Sequence, residues 1–415
     1  MFASFYAKLG FIILVSLLQE FNCECRQSYV TICDSLEDIE KLIDKENFMD
    51  LVVGNETRRA NPLKTYNLHS IIPFNKLISL TIIGQLERIS PLFGRCQFDY
   101  QLQVLNFYNN DIKKLEKGSF PGLNLKKVSL VNNDIEILEP GMLSTTSKIE
   151  IMDLSDNKIE VIEDSVFRYR HRGPVVTKTI ILRNNRISYI QAKSLPETLK
   201  ILYLDGNKLR EIQDDVMQPL SELRELSLSR NQLYKVPNLS NATKLEFLNL
   251  SYNNIETVDN STFQNLSTIG LIDLSNNKIR ELSFLPFSYL IKRYRPFVLS
   301  LGFNQLVSFD FDNITKTYEN YKVELFLYGN PFECREFDKI QLAMKNLKIK
   351  QNQCDVKFHS EGKTPYCLNY HSIFSLYVPD VQKEFLKLIQ NNRKLISCHL
   401  YPVNYFSNLG VACVA

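Results

Sequence analysis

The 415-residue chain has no tryptophan, and its five histidines (His69, His171, His359, His371 and His399) are scattered, with only Asp355 near one of them. No Ser/His/Asp or Cys/His arrangement for nucleophilic or general-base work stands out. C-x-x-C pairs, a phosphate-cradling Walker loop and a G-x-S-x-G elbow are all missing. An enzyme is therefore not expected, and no cofactor is expected either. Net charge is also small: 49 Lys and Arg nearly balance 46 Asp and Glu, and the formal +3 is too little to draw nucleic acid. Beyond the N-terminal segment no run approaches the roughly eighteen apolar residues of a membrane span. Cys413 stands third from the end, not fourth as a prenylation box requires, so no membrane anchor is expected.

The N-terminus has what the rest lacks. Lys8 precedes an apolar run, Leu9 to Leu18, too short to span a bilayer and typical of a secretory signal. Residues 1–23 are read as that signal, with cleavage between Asn22 and Cys25, and the mature chain is expected to be secreted. Nine cysteines cluster toward the two ends, with Cys96 alone between them. Seven Asn-x-Ser/Thr sequons, at Asn55, Asn238, Asn241, Asn249, Asn260, Asn265 and Asn313, fit the same compartment.

The stretch LEFLNLSYNNIETV (245–258) spaces its apolar residues as neither a helix nor a plain strand. The same frame returns around Asn110, Asn133, Asn157, Asn185, Asn207, Asn231, Asn253, Asn277, Asn304 and Asn330, as in LKILYLDGNKL, LRELSLSRNQL and IGLIDLSNNKI. A degenerate earlier copy, LISLTIIGQL, has Gln85 in the asparagine slot. This pattern is that of the leucine-rich repeat, and it implies an α/β repeat solenoid: a horseshoe with short parallel strands on its concave face. Within a copy the fourth and sixth places point inward and the third, fifth and seventh outward. The asparagine amide is expected to satisfy turn backbone groups in a stacked ladder.

The repeats are placed at 70–332, after an N-terminal cap at 24–69. LYGNPFECREF then opens a segment similar to the cysteine-rich C-terminal caps of extracellular leucine-rich repeat proteins, placed at 333–400 with short helices, and followed by a mobile tail, 401–415. The resemblance implies disulfide caps drawn from Cys25, Cys33, Cys334, Cys354, Cys367 and Cys398. Among many connectivities, one joins Cys25 to Cys33, Cys334 to Cys367 and Cys354 to Cys398. Cys96 and Cys413 are then left over, and Cys413 becomes a candidate intermolecular thiol.

Most outward places carry small polar residues, the default for a solvated sheet. The middle copies instead set Ile151, Ile181, Ile201 and Tyr203 side by side, flanked by Arg183 and Asp205. Exposed apolar and aromatic residues rimmed by charge are what protein interfaces use. Partner binding is assigned there, against the alternative of ordinary cross-strand packing. A second aromatic group, Val298, Phe303, Phe326 and Tyr328, is one that a folded-over cap would cover. A sugar on Asn249 would obstruct the concave face. DLSDN at 153–157 could suggest a metal, but its recurrence as DLSNN at 273–277 reads as solvent-facing strand positions, and no metal site is assigned. RYRHRG at 168–173 is a solvated loop, or else an anion-binding or protease-sensitive one.

A secreted array with cysteine caps resembles the mosquito leucine-rich immune proteins. That resemblance implies innate immune recognition, with a complement-like thioester protein or another leucine-rich repeat chain as partner, and a disulfide-linked dimer. This chain departs from those proteins in two ways: it has no adjacent cysteines for joining chains, and no long heptad coiled coil. Helical periodicity after the cap is confined to Asp380–Ser397, with Val381, Phe385, Leu388, Ile389 and Leu395. The other reading is a secreted adhesion, matrix or signalling-modulator protein that binds a cell-surface protein or growth factor.

Overall fold

The computed structural model describes residues 30–33, 49–54, 76–84, 86–89, 102–117, 119–120, 124–143, 148–167, 177–291, 296–311, 323–351, 367–368, 397–398 and 413–414. The signal segment, Cys25, Cys96, Cys354, Asn55, Asn313, Gln85, the RYRHRG insertion and nearly all of the Asp380–Ser397 segment lie outside the described residues. So do the side chains of Cys33, Cys334, Cys367, Cys398 and Cys413. The chain forms two compact units, Met1–Lys158 with Val166–Thr177, and Ile159–Ser165 with Lys178–Ala415.

In the first unit the main sheet runs β1 (Val30–Cys33), β2 (Asp50–Val53), β3 (Ser79–Ile82), β4 (Val104–Asn106), β6 (Asn124–Ser129) and β8 (Lys148–Asp153), every neighbour parallel. A minor ladder pairs β5 (Lys114–Leu115) with β7 (Ile137–Leu138). The parallel ladder thus begins at Val30, inside the stretch that the sequence assigns to a cap. VTIC and DLVV lack the leucine frame, and it is their pairing with the next strand that makes them rungs.

The second unit repeats the arrangement with β10 (Thr179–Ile181), β12 (Ile201–Tyr203), β13 (Glu225–Ser227), β14 (Phe247–Asn249), β15 (Leu271–Asp273), β16 (Phe297–Ser300), β17 (Val323–Phe326) and β19 (Lys350–Gln351), all parallel. Its minor ladder pairs β9 (Val161–Ile162) with β11 (Tyr189–Ile190). Parallel-strand solenoid is the fold class of each unit.

The inward leucines make the core. Leu226, Leu228, Leu248, Leu250, Ile272 and Leu274 are fully buried. Phe120, Phe167 and Phe263 close the opposite side, each at 0% exposure. Phe263 stacks on Phe287 with centroids 5.2 Å apart. At the C-terminal end of the second unit the helix Cys334–Asn346 buries Phe337, Ile340 and Met344, and Phe332 packs on Phe337 at 5.7 Å. β18 (Phe332–Glu333) pairs with β20 (Cys367–Leu368), and β21 (Ser397–Cys398) pairs antiparallel with β22 (Cys413–Val414). In that last pair Cys413 stands opposite Cys398; the rest of the tail, 401–412 and 415, lies outside the described residues.

All ten frame asparagines, Asn110 to Asn330, are buried. Asn253 is representative: its Oδ1 accepts the Leu233 N–H at 3.0 Å, while its Nδ2 donates to the carbonyls of Leu228 (2.9 Å), Leu250 (3.0 Å) and Ser251 (3.2 Å). Each amide thus links one copy to the preceding one. The turn that aims it needs a positive φ one residue earlier, met by Asn109, Asn132 and Asp156 in the first unit and by Asn184, Gly206, Arg230, Tyr252, Asn276, Phe303 and Gly329 in the second. At Gly206 the φ of +69° suits glycine, and a Cβ there would lie 2.5 Å from the Asn184 Oδ1, so that amide would have to shift for any side chain to fit. Asn253→Ala would strand the Leu233 N–H in the core and leave the Leu228 and Leu250 carbonyls with one amide donor each, from Asn231 and Asn277. It should lower stability by on the order of 1–3 kcal/mol in denaturant titrations, and an unchanged midpoint would mean that the N–H finds another partner.

Candidate functional site

Strands β10, β12 and β13 carry the outward residues of the middle copies. Their register sets Ile181 beside Tyr203 and Ile201 beside Glu225. The Arg183 guanidinium lies over the Tyr203 ring, 4.2 Å from its centroid, and its Nε reaches Asp205 Oδ2 at 3.1 Å. The hydroxyls of Ser227 and Ser229 donate to Asp205 Oδ1, Ser229 at 2.7 Å. Tyr203 in turn donates its hydroxyl to the Glu225 carboxylate. Burial, with Glu225 adding to it, pushes the Tyr203 hydroxyl well above the usual phenol range, so it stays a protonated donor.

An ion pair as open as Arg183–Asp205, with half of the arginine in water, contributes about 1 kcal/mol at most. Its consequence here is geometric. It holds a cation and an aromatic ring in one orientation on a sheet whose backbone is already fixed.

Ile181, Arg183, Ile201, Tyr203 and Asp205 therefore form one group in the second unit. Ile151 belongs to the first unit, half-buried and in register with Lys127. The second aromatic group is not an open surface: Val298, Phe326 and Tyr328 are buried, and Tyr328 packs edge-on against Phe303 at 5.3 Å. The small polar row also differs from a solvated one, since Ser155, Ser227, Ser229, Ser251, Asp273 and Ser300 are all buried. Strand alternation tells which way a side chain points, but not what lies above it. Asp153 Oδ1 accepts from the Ser155 N–H (3.1 Å) and hydroxyl (2.6 Å), a local turn contact. Among the described residues no group of three His, Cys, Asp or Glu could hold a metal ion.

Of the sequons, Asn238, Asn241, Asn260 and Asn265 are exposed and Asn249 is half-buried. The amide nitrogens of Asn238, Asn241 and Asn265 donate to Asp214, to the Gln218 carbonyl and to the Ser240 carbonyl. Asn249 Oδ1 is occupied by the Ser251 N–H and hydroxyl, so a sugar there would crowd the sheet face.

A family model described as leucine rich repeat matches residues 177–233 and 243–288. These are leucine-rich repeats. Among curated relatives, human podocan-like protein 1 is 26% identical over 63% of this chain and 50% of its own length. Human mimecan is 28% identical over 42% of this chain and 59% of its own. Keratocan of Gallus gallus is 29% identical over 50% and 58%. The chain thus spans about half to three-fifths of the length of these relatives. Among solved structures, a chain of an octameric complex of Latrophilin 3, Unc5D and FLRT2 superposes with a TM-score of 0.58 at 21% identity, covering 74% of this chain and 91% of that one. A chain of an LRIM1/APL1C complex gives 0.50 at 17%, covering 90% and 78%.

Within the leucine-rich repeats of the second unit, the positive-φ slot holds a feature that the sequence reading passed over. Arg230 (φ 54°) and Tyr252 (φ 55°) occupy it in adjacent copies, both exposed, with the Arg230 guanidinium 4.7 Å from the Tyr252 ring centroid. Side chains without a short amide or carboxylate lose roughly 1 kcal/mol or more each in this conformation. An exposed cation–π contact returns about 0.5–1 kcal/mol in all. The frame does contain the signal: this slot is otherwise filled mainly by Asn, Asp or Gly, and here it holds a long cation and a ring.

Asp273 is a further departure, a carboxylate buried in the slot that Asn249 fills in the preceding leucine-rich repeat. Burial raises its pKa, only partly countered by hydrogen bonds from Ser275 and Ser300. A carboxyl with a raised folded pKa favours the fold most below its unfolded pKa, and that favour is lost as pH rises through the folded value. Asp273→Asn keeps the acceptor for the Ser275 N–H, 2.9 Å away. In protein made without glycosylation, it should raise the Tm at neutral pH and leave it nearly unchanged in acid, as followed by circular dichroism. A lower Tm at neutral pH would show that the charge itself is needed.

Proposed function

We propose that this leucine-rich repeat chain is an extracellular protein-binding module whose contact surface centres on Tyr203, with Ile181, Ile201, Arg183 and Asp205 around it in the second unit. The observation that carries the reading is the fixed Arg183–Tyr203 pair on an outward sheet face, 4.2 Å from cation to ring. Arginine and tyrosine held in place before contact lose little freedom on binding, which is why such residues dominate interface energetics. Export, the signal at 1–23 and glycosylation belong to the same reading, as does a purely non-catalytic role.

Two kinds of partner fit. A matrix, adhesion or cell-surface partner is the other reading drawn from the sequence, and mimecan and keratocan are among the proteins that this chain is similar to. An immune scaffold holding a complement-like factor is supported by the resemblance drawn from the sequence. The two separate on covalent assembly, since the immune scaffold calls for a dimer through Cys413, whereas Cys413 stands in register with Cys398 of its own chain. The secreted chain is expected to run as a monomer on non-reducing gels, with or without Cys413→Ser. A reductant-sensitive dimer that this substitution abolishes would favour the scaffold.

The contact surface is tested separately, against an array of extracellular ectodomains and matrix proteins. Arg183→Ala with Tyr203→Ala should weaken any captured partner at least about tenfold, a change of roughly 1.4 kcal/mol. Undiminished binding by the doubly substituted, folded chain would sink the assignment.

A further inference from the structure

We propose that Arg230 and Tyr252 form a second contact element, at the turn edge of the sheet beyond β13 and β14, that receives an acidic side chain of a partner protein. It deepens the protein-binding reading but rests on different residues. Both side chains are exposed, both backbones are held in the left-handed region, and the contact between them is weaker than the strain they share. The fold does not need them there, because Asn184, Gly206 and Asn276 make the same turn in neighbouring copies. Phe303, the other bulky residue in this slot, has a packing reason: it lies against the Tyr328 ring and over Gly329. Among the described residues, the side chains of Arg230 and Tyr252 pack on each other.

The chemistry of the partner follows from the charge. Arg183 pairs with Asp205 and Arg224 with Glu246, but among the described residues no carboxylate pairs with Arg230. The slots flanking the pair, Gly206 and Asn276, are uncharged. A guanidinium held over a ring keeps its outer N–H donors directed at solvent, in the planar fork that matches a carboxylate, while the ring edge offers apolar contact to the acid's methylenes.

Two measurements on the full chain test this. First, Arg230→Gly and Tyr252→Asn, which put favoured residues in the slot, should each raise the Tm. A fall in both would mean that the pair serves the fold, and would overturn the proposal. Second, the immobilised chain is panned against a random peptide library. Recovered peptides should carry Asp or Glu, bind at least about tenfold more weakly to Arg230→Ala, and keep their affinity for Tyr203→Ala. Peptides weakened by Tyr203→Ala alone would overturn this element while leaving the Tyr203 surface standing. Peptides indifferent to all three positions would count against both. A heparin oligosaccharide that binds through Arg230, where no acidic peptide is recovered, would overturn the protein assignment in favour of a sulfated glycan.

Discussion

The structure depends on one hydrogen-bonding unit, the side-chain amide of the frame asparagine. A strand that rises, ends after three residues and turns away leaves carbonyls and an N–H stranded inside the solenoid. An amide has both an acceptor and two donors, so Asn253 can take Leu233 N–H and give to Leu228 and Leu250 at once. Aspartate would lack the donors, and glutamine would overreach. Since each amide joins its own copy to the preceding one, the ladder is cooperative along a unit, and no single repeat can satisfy its turn alone.

That constraint fixes what the outward face can do. With strand ends and turns set by the amide, the side chains at the third, fifth and seventh places have nearly fixed origins, and differences between copies become differences in surface chemistry. The middle copies use this freedom for Arg183 on Tyr203 and for an aspartate collecting two serines. Elsewhere the same places hold buried serines and a buried carboxylate, Asp273. The turn edge is a second row of fixed origins, and there the positive φ makes residue choice visible: asparagine and glycine are cheap, arginine and tyrosine are not.

Much of the core was legible in advance because leucine at the fourth and sixth places and asparagine at the ninth have no common alternative explanation. The buried set Leu226, Leu228, Leu248 and Leu250 follows from counting alone. The rungs at Val30–Cys33 and Asp50–Val53 were not legible, since four-residue strands without the frame owe their existence to a neighbour's edge. Outward residues were legible as a list but not as a surface. Val298, Phe326 and Tyr328 point the same way as Tyr203 by alternation, yet they are buried and Tyr203 is not.

Sequence by itself determined the period, the inward apolar set, the amide ladder and the fold class, because these depend on residue type at a fixed spacing. Tertiary structure decided which outward residues meet. It put Arg183 over Tyr203, gave Glu225 to the Tyr203 hydroxyl, buried Asp273, and held Arg230 and Tyr252 in the left-handed region face to face. Those contacts join side chains of adjacent copies, Tyr203 and Glu225 for example being 22 residues apart along the chain, and their existence depends on rotamers, register and cover that no single repeat encodes.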